Sequence, residues 1–419
     1  MLRLLLTGLL LLPLATWGNS SLEYTLELEG LNYYDNSLLQ NTSLGQGDIQ
    51  LDFSHIFSRS LRLASSAHIR RSYDDDYKNE EDLNEIYVDY RNQNMDIRLG
   101  KQIINWSRTD IVNPIDFSSA NYRDPLDDDN ERYGLIGINV RAYLEEANLE
   151  WIVLPLHTYS ELPELNSPWN PALPQTTQAG QTFRYSTAST DQPKSGLENW
   201  QTGIRLSQRG TGFDWAVSYV YGWNDIPQYQ QNVIAMNASE VEVEFLPTTH
   251  RLHTVAADGA LLMDEYTLRS ELAYIHTDDS NSTKALVDDP YIHLVVGVDR
   301  RFSDVMFNKD LFVLLEYSYQ HATTDIQYSP QDFDHIFENT LFMRFAFDDL
   351  PRWELQLDIA YDIANDGQFI RPKFDYEWVD NFKTSIMLEW LDGSEKSFFG
   401  AYEDNKSIRI RLTKTGLFF

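Results

Sequence analysis

The residues that could do chemistry in this chain concentrate in a few places. The runs YDDDYKNEED (73–82) and DPLDDDNERYG (124–134) are dense in carboxylates, and GKQIINWSRTDIVNPIDF (100–117) sets Lys, Arg, Trp and two Asp around an Asn-Pro pair. Clustered carboxylate oxygens suit calcium, but neither run has the spacing of the twelve-residue calcium loop with its central Gly and terminal Glu. Solvated acidic loops are the alternative, and the one this spacing favours. A hydrolase would need a nucleophilic Ser beside a His held by a third polar group. The nine histidines are scattered, and neither GxSxG nor HExxH occurs. His250 and His253 are spaced like a helical pair but lie in a strand context, where that spacing puts them on opposite faces. Zero cysteines remove thiolate zinc sites, cysteine nucleophiles and disulfides together. No catalytic residue, metal site or cofactor is expected.

The elements that must position these groups read as strands. After residue 20 the helical period is nearly absent and period-two alternation takes over. In WELQLDIAYD, Trp353, Leu355, Leu357, Ile359 and Tyr361 face one way, while Glu354, Gln356, Asp358 and Asp362 face the other. FDWAVSYVY (213–221) and LFVLLEYSY (311–319) repeat the pattern, with aromatics at the ends of the apolar face. Such ends match the aromatic girdles of membrane barrels. The template yields about eighteen segments, running from 22–34 to 407–419. The weakest are 248–261 and 289–302, and sixteen strands is the alternative.

Connectors alternate short and long. Ser58-Arg59-Ser60, RNQN (91–94), EEAN (145–148), QRGTG (208–212), DDLPR (348–352) and VDN (379–381) are short. Residues 73–83, 105–133, 158–197, 225–247, 279–288, 322–335 and 393–406 are long. Short turns on one side and long loops on the other characterise an antiparallel up-and-down β-barrel in a membrane. In lipid the sheet must close, because an open edge leaves backbone groups unpaired. A secreted β-sandwich or β-helix would also alternate, but would not produce this rhythm or the terminal Phe.

The N-terminus, MLRLLLTGLLLLPLATWGNSS, has a basic Arg3, an apolar run and a small Gly18. It reads as a signal peptide over 1–18, too short to span a bilayer well, with the barrel over 19–419. A membrane anchor is the alternative. Net charge is −31, which excludes nucleic acid as a partner for want of a basic patch. Acidic loops would enrich cations at a pore mouth.

If the apolar face meets lipid, Arg62, Arg70, Arg98, Arg141, Arg205, Arg269, Arg344, Arg371, Arg409 and Arg411 point inward with Gln102. Facing them are carboxylates including Glu27, Asp52, Asp89, Asp96, Glu271, Asp358, Asp375 and Glu389. Paired charges can simply brace a wet wall. As a set they also define a polar interior whose field would filter ions. The expected pore lining is Arg62, Arg70, Arg98, Gln102, Arg141, Arg205, Arg269, Arg344, Asp358 and Glu389. The segment 105–133, with Trp106, Arg108, Asp110, Asn113, Pro114 and Asp116, is expected to fold inward as a constriction, close to a thin wall at Gly100.

The whole mature chain resembles Gram-negative outer-membrane proteins, down to the KTGLFF terminus. Ile408, Ile410 and Leu412 are in phase with Phe418 rather than Phe419, so an irregularity at Gly416 is expected. Arg98, Gly100, Gln102, Trp106, Asn113, Pro114 and Asp116 resemble a motif of an uncharacterised proteobacterial porin-like family. That motif is a strand ending RxGxQ, then Trp-Gly, then Asn-Pro-x-Asp. More distantly they resemble alginate-export barrels; Ser107 stands where Gly is usual. The resemblance implies an outer-membrane channel without cofactor, among outer-membrane lipids and lipopolysaccharide, inserted by the barrel-assembly machinery. Passage of small polar or charged solutes is the expected function. A silent barrel that binds or exports an envelope polysaccharide or lipid is the first alternative, and a membrane-embedded hydrolase the second.

Overall fold

The computed structural model describes residues 19–419 apart from 35–42, 74–78, 116–118, 121, 123, 128–131, 166, 171–172, 174–175, 178–179, 189–192, 194–195, 280–283, 285, 307–308, 323–331 and 349–351. The proposed signal peptide and Asp116 lie outside the described residues.

The chain forms a closed antiparallel barrel of eighteen strands. They are Ser20–Tyr33 (β1), Ser43–Ser58 (β2), Leu61–Ser72 (β3), Glu80–Arg91 (β4), Met95–Gln102 (β5), Leu135–Tyr143 (β6), Asn148–Leu154 (β7), Gln201–Arg209 (β8) and Phe213–Trp223 (β9). The second half comprises Arg251–Met263 (β10), Tyr266–Thr277 (β11), Tyr291–Met306 (β12), Lys309–Ala322 (β13), Asn339–Phe347 (β14), Trp353–Asp362 (β15), Gly367–Val379 (β16), Phe382–Gly393 (β17) and Ser407–Leu417 (β18). Each strand pairs with its successor, and β1 closes on β18 in an unbroken register from Glu23–Leu417 to Tyr33–Ser407. Both of the weakest sequence segments are strands, and the count is eighteen rather than sixteen.

The alternation sets the two faces. On β11, Tyr266, Leu268, Leu272 and Tyr274 are exposed on the outside, while Arg269, Glu271, Ala273 and Thr277 turn inward. Leu28, Leu99, Val255 and Ile410 continue an exposed apolar belt, the surface a barrel presents to acyl chains. At its long-loop end the belt carries Tyr219, Tyr274 and Tyr319. At its short-turn end it carries Trp378 and Phe418.

Two differences from the sequence reading stand out. No irregularity occurs at Gly416: Tyr24 lies over it, and a Cβ there would meet the tyrosine hydroxyl at 2.4 Å. The Tyr24 ring also packs 4.7 Å from that of Phe418, which takes the outward position itself. The long connectors also contain strands of their own. Thr182–Thr187, Gln228–Ala235 and Glu240–Thr248 form a separate three-stranded sheet. EVEVEF does alternate, so that signal was present, but it falls between the regularly spaced barrel segments.

Candidate functional site

The lumen is crossed by the connector that follows β5. Gly100, at φ +137°, allows close approach as expected. However, what approaches is the β4 backbone: a Cβ at Gly100 would stand 2.2 Å from the Ile86 carbonyl oxygen. The atoms nearest that position belong to Ile86 and Tyr87 of β4 rather than to the described residues of the connector. The connector runs to the far wall, because β11 and β13 carry inward carboxylates and its backbone N–H groups need acceptors.

Glu316 on β13 accepts from the amides of Asp110 (2.9 Å), Ile111 (3.1 Å) and Val112 (2.8 Å). Glu271 on β11 accepts from the amides of Arg108 and Thr109, and from the Ser107 hydroxyl at 2.6 Å. Both carboxylates are buried. A carboxylate that takes two or three N–H donors replaces the water it lost with charge-assisted bonds.

Side chains reinforce the clamp. The Arg108 guanidinium pairs with Asp258 on β10 and lies 3.5 Å from Asp214. Asp110 meets Arg269 at 3.0 Å, and Arg269 also pairs with Asp299. The Asn113 amide nitrogen donates to the Thr109 carbonyl and the Ser107 hydroxyl, and its oxygen accepts from Arg132 at 2.9 Å. Trp106 is buried among Ile104, Ile115, Leu135 and Leu154, with the Arg205 guanidinium 5.7 Å from its ring. Pro114 lines the cavity described below.

The same connector then docks on a second wall. Across six adjacent strands, inward charges alternate in sign: Arg344, Asp358, Arg371, Glu389, Arg409, Glu29, Arg411, Glu27. Arg344 and Arg371 lie 2.7 and 3.1 Å from Asp358, and Arg371 and Arg409 each lie 3.8 Å from Glu389. Arg409 lies 3.1 Å from Glu29, and Arg411 lies 2.8 Å from Glu29 and 3.1 Å from Glu27. Asp124 and Asp127 pair with Arg409, Asp127 also with Arg411, and the Leu126 carbonyl accepts from Arg371 at 2.6 Å. Part of the acidic run 124–134 therefore acts as counter-charge inside the barrel rather than as a solvated loop.

Of the remaining sequence candidates, all but Arg205 lie apart from this crossing. Arg70 is 3.5 Å from Asp48, Arg98 is 3.9 Å from Asp89 and stacks over Tyr87, and Arg141 is bonded to Glu150 at 2.8 Å. Arg205 is buried against Asp258. Arg62 is exposed towards the short turns, opposite Asp89 in register. Gln102 faces inward but is fully buried, its amide 3.3 Å from the Gly137 carbonyl.

Above the crossing, on the long-loop side, Trp169, Phe333, Phe398, Phe399 and Tyr402 pack with Val112 and Leu126. Tyr402 donates to the Trp169 carbonyl at 2.8 Å, tying the 158–197 connector to the last one. Between connector and wall is a cavity of about 450 Å³. Its lining mixes charged residues (Asp110, Arg132, Arg344, Arg371) with aromatic ones (Tyr122, Phe369). Sequence reasoning missed Glu316 and the Phe398–Tyr402 segment as parts of the site. Glu316 was visible only as one more inward acid.

No protein-family model matches the chain, and no curated protein matches its sequence. Solved structures do share its fold. Acinetobacter baumannii OccAB1 aligns with a TM-score of 0.55 at 10% identity, covering 96% of this chain and 97% of that one. Pseudomonas aeruginosa OccK11 (OpdR) and OccK5 (OpdH) each align at 0.54 and 10% identity, covering 96% of this chain and 97% and 99% of theirs. The likeness is one of architecture: the chain shares the barrel fold of these structures and closes it with eighteen antiparallel strands.

Proposed function

We propose that this protein is an outer-membrane channel for small polar or charged solutes, and not an enzyme. The observation that carries the reading is the connector held at mid-barrel by Glu271 and Glu316, beside a cavity with inward charges of both signs. A wide pore needs no such device. A connector fixed across the lumen sets a size limit, and opposed charges orient what passes. The cavity's 450 Å³ suits a ligand of drug size or smaller. The apolar belt would sit among outer-membrane lipids, with the long loops at the lipopolysaccharide side.

A second reading draws on the packed aromatics above the crossing, which would suit a barrel that holds a ligand without conducting. Single-channel recording in planar bilayers separates the two. Discrete, small conductance steps are expected for the channel; a folded barrel that stays silent would refute it. Turnover of phospholipid by the purified protein would instead indicate a hydrolase.

A further inference from the structure

One cluster of ionisable groups takes no part in holding the connector. Asp288 precedes β12; Asp332, Asp334 and His335 precede β14; Asn224 follows β9; and His250 precedes β10. All lie on the long-loop side, and Asn224 and Asp334 line the cavity. Among the described residues, no arginine or lysine lies within ion-pairing distance of Asp288, Asp332 or Asp334.

The geometry is that of a ligand set. One carboxylate oxygen each of Asp288 and Asp332 and one ring nitrogen of His335 all lie within 4.8 Å of one another. A point between three such atoms is at most about 2.8 Å from each (4.8 Å divided by √3). Zinc–ligand bonds are roughly 2.0–2.2 Å, so small side-chain shifts would close the shell.

The surroundings orient these atoms. Gln320 donates through its amide nitrogen to the Asp334 carbonyl at 3.0 Å, which turns its oxygen to His335 Nδ1 at 2.6 Å. Nδ1 therefore carries the proton, and Nε2 keeps the lone pair a metal would use. Ligating histidines are commonly fixed this way through the other ring nitrogen. Asn224 Nδ2 holds Asp288 at 3.2 Å and Asp334 at 2.7 Å, and Gln228 holds the other Asp288 oxygen at 3.3 Å.

A separate observation points the same way. His250 is more than nine-tenths buried and aims Nε2 at Asp288 Oδ2, 3.6 Å away, while its Nδ1 has no hydrogen-bond partner. The carboxylates of the cluster therefore meet amides and imidazoles but no guanidinium or ammonium of the described residues.

We propose that Asp288, Asp332 and His335 bind a divalent first-row transition-metal ion, with Asp334 and His250 flanking it. The imidazole nitrogen and the enclosed position favour zinc-like ions over calcium, which prefers six to eight oxygens. The bound ion joins the connectors before β12 and β14 at the cavity's edge. The assignment does not depend on the barrel conducting.

The test uses the full-length chain, folded in detergent, stripped with chelator and dialysed against Zn²⁺. One Zn²⁺ per chain is expected, with a higher Tm, since a ligand that binds only the native state stabilises it. Asp332→Asn and His335→Gln should each weaken binding at least tenfold and abolish the Tm rise, while the shifted mobility of the folded barrel on unheated gels is kept. No Zn²⁺ retained by folded wild type overturns the proposal, as does equal retention by both variants. Wild type alone provides a second measurement. Co²⁺ in place of Zn²⁺ should give visible d–d bands of a mixed nitrogen and oxygen site. Their absence, or displacement of Zn²⁺ by equimolar Ca²⁺, also counts against the assignment.

Discussion

Two buried groups of charges lie inside this barrel, and they are built on opposite plans. On the wall from β14 to β1, Arg344, Arg371, Arg409 and Arg411 alternate with Asp358, Glu389, Glu29 and Glu27, and Asp124 and Asp127 arrive from the connector. Arg371, Arg409 and Arg411 there each have two or more carboxylates beside them, and Arg344 has Asp358. Around Asp288, Asp332 and Asp334 the hydrogen-bonding neighbours are amides and imidazoles, with no guanidinium or ammonium in pairing distance among the described residues. Burying charge is costly unless it is paired. A balanced cluster can be explained as architecture that seats the connector. An unbalanced one needs either protons or an external cation, so it is the better candidate for binding.

Arg409, almost fully buried, is the residue on which the balanced wall depends most. Arg409→Met leaves Glu29, Glu389, Asp124 and Asp127 facing one another without their shared cation. Removing one partner of a buried pair costs about 3–5 kcal/mol. We expect the urea midpoint of the folded barrel to fall accordingly and the 124–127 segment to become accessible to protease. An unchanged midpoint would mean that the alternating wall contributes little. The equivalent change in the other cluster, Asp334→Asn, removes one of several repelling acids, so it should be neutral or stabilising.

Glu316 comes next. Glu316→Gln keeps the size of the side chain but loses the charge that takes three backbone amides. Hydrogen bonds to charged groups are worth about 1.5–3 kcal/mol, so the connector should detach part of the time. Single-channel traces should show a severalfold larger open level or added flicker between two levels. Identical traces would place the narrowest point elsewhere. Arg269→Gln should act in the same direction but more weakly. Its partner Asp110 is partly exposed, and Arg269 keeps a second neighbour, Asp299. A change in ion selectivity is its expected mark; none at all would remove the Arg269–Asp110 pair from the path.

How much of this was legible in the sequence follows from the range of the contacts. All eighteen strands were visible, because period two with an apolar outer face is local and repeats along every strand. The inward direction of Arg269, Glu271, Asp358 and Arg409 followed from the same parity. Inward folding of the connector was expected from its length and the thin wall at Gly100. Its landing place was not, since Asp110 and Glu316 are 206 positions apart. Gly100 suggested a nearby landing, yet its open flank is taken by the adjacent strand. The acidic runs at 73–82 and 124–134 are the dense carboxylate stretches of the sequence, whereas the mixed Asp–His set is assembled from separate loops with one or two ligands apiece. Density in sequence is a poor guide to such a site when a barrel brings distant loop ends together.

The smallest expected effect concerns His157, which lies in the long connector after β7, away from both clusters. It is buried, with its ring 4.8 Å from that of Tyr159. Burial, and then the Arg251 charge, lowers its pKa from 6.5 to about 4. The folded connector therefore keeps His157 neutral, and an opened one lets it take a proton. Its contribution to local stability is complete above pH 6.5 and fades as pH falls towards 4. Asp225, whose carboxyl is pushed up by burial, works in the opposite sense: the folded state holds its proton more tightly, which favours folding at low pH. The two partly cancel in the wild type, so the informative quantity is a difference. Hydrogen exchange of residues 155–165, corrected for intrinsic rates, should accelerate between pH 6.5 and 4 more in wild type than in His157→Gln. Parallel curves would show that His157 stays neutral when the connector opens, and would leave any acid sensitivity of this side of the barrel to its carboxylates.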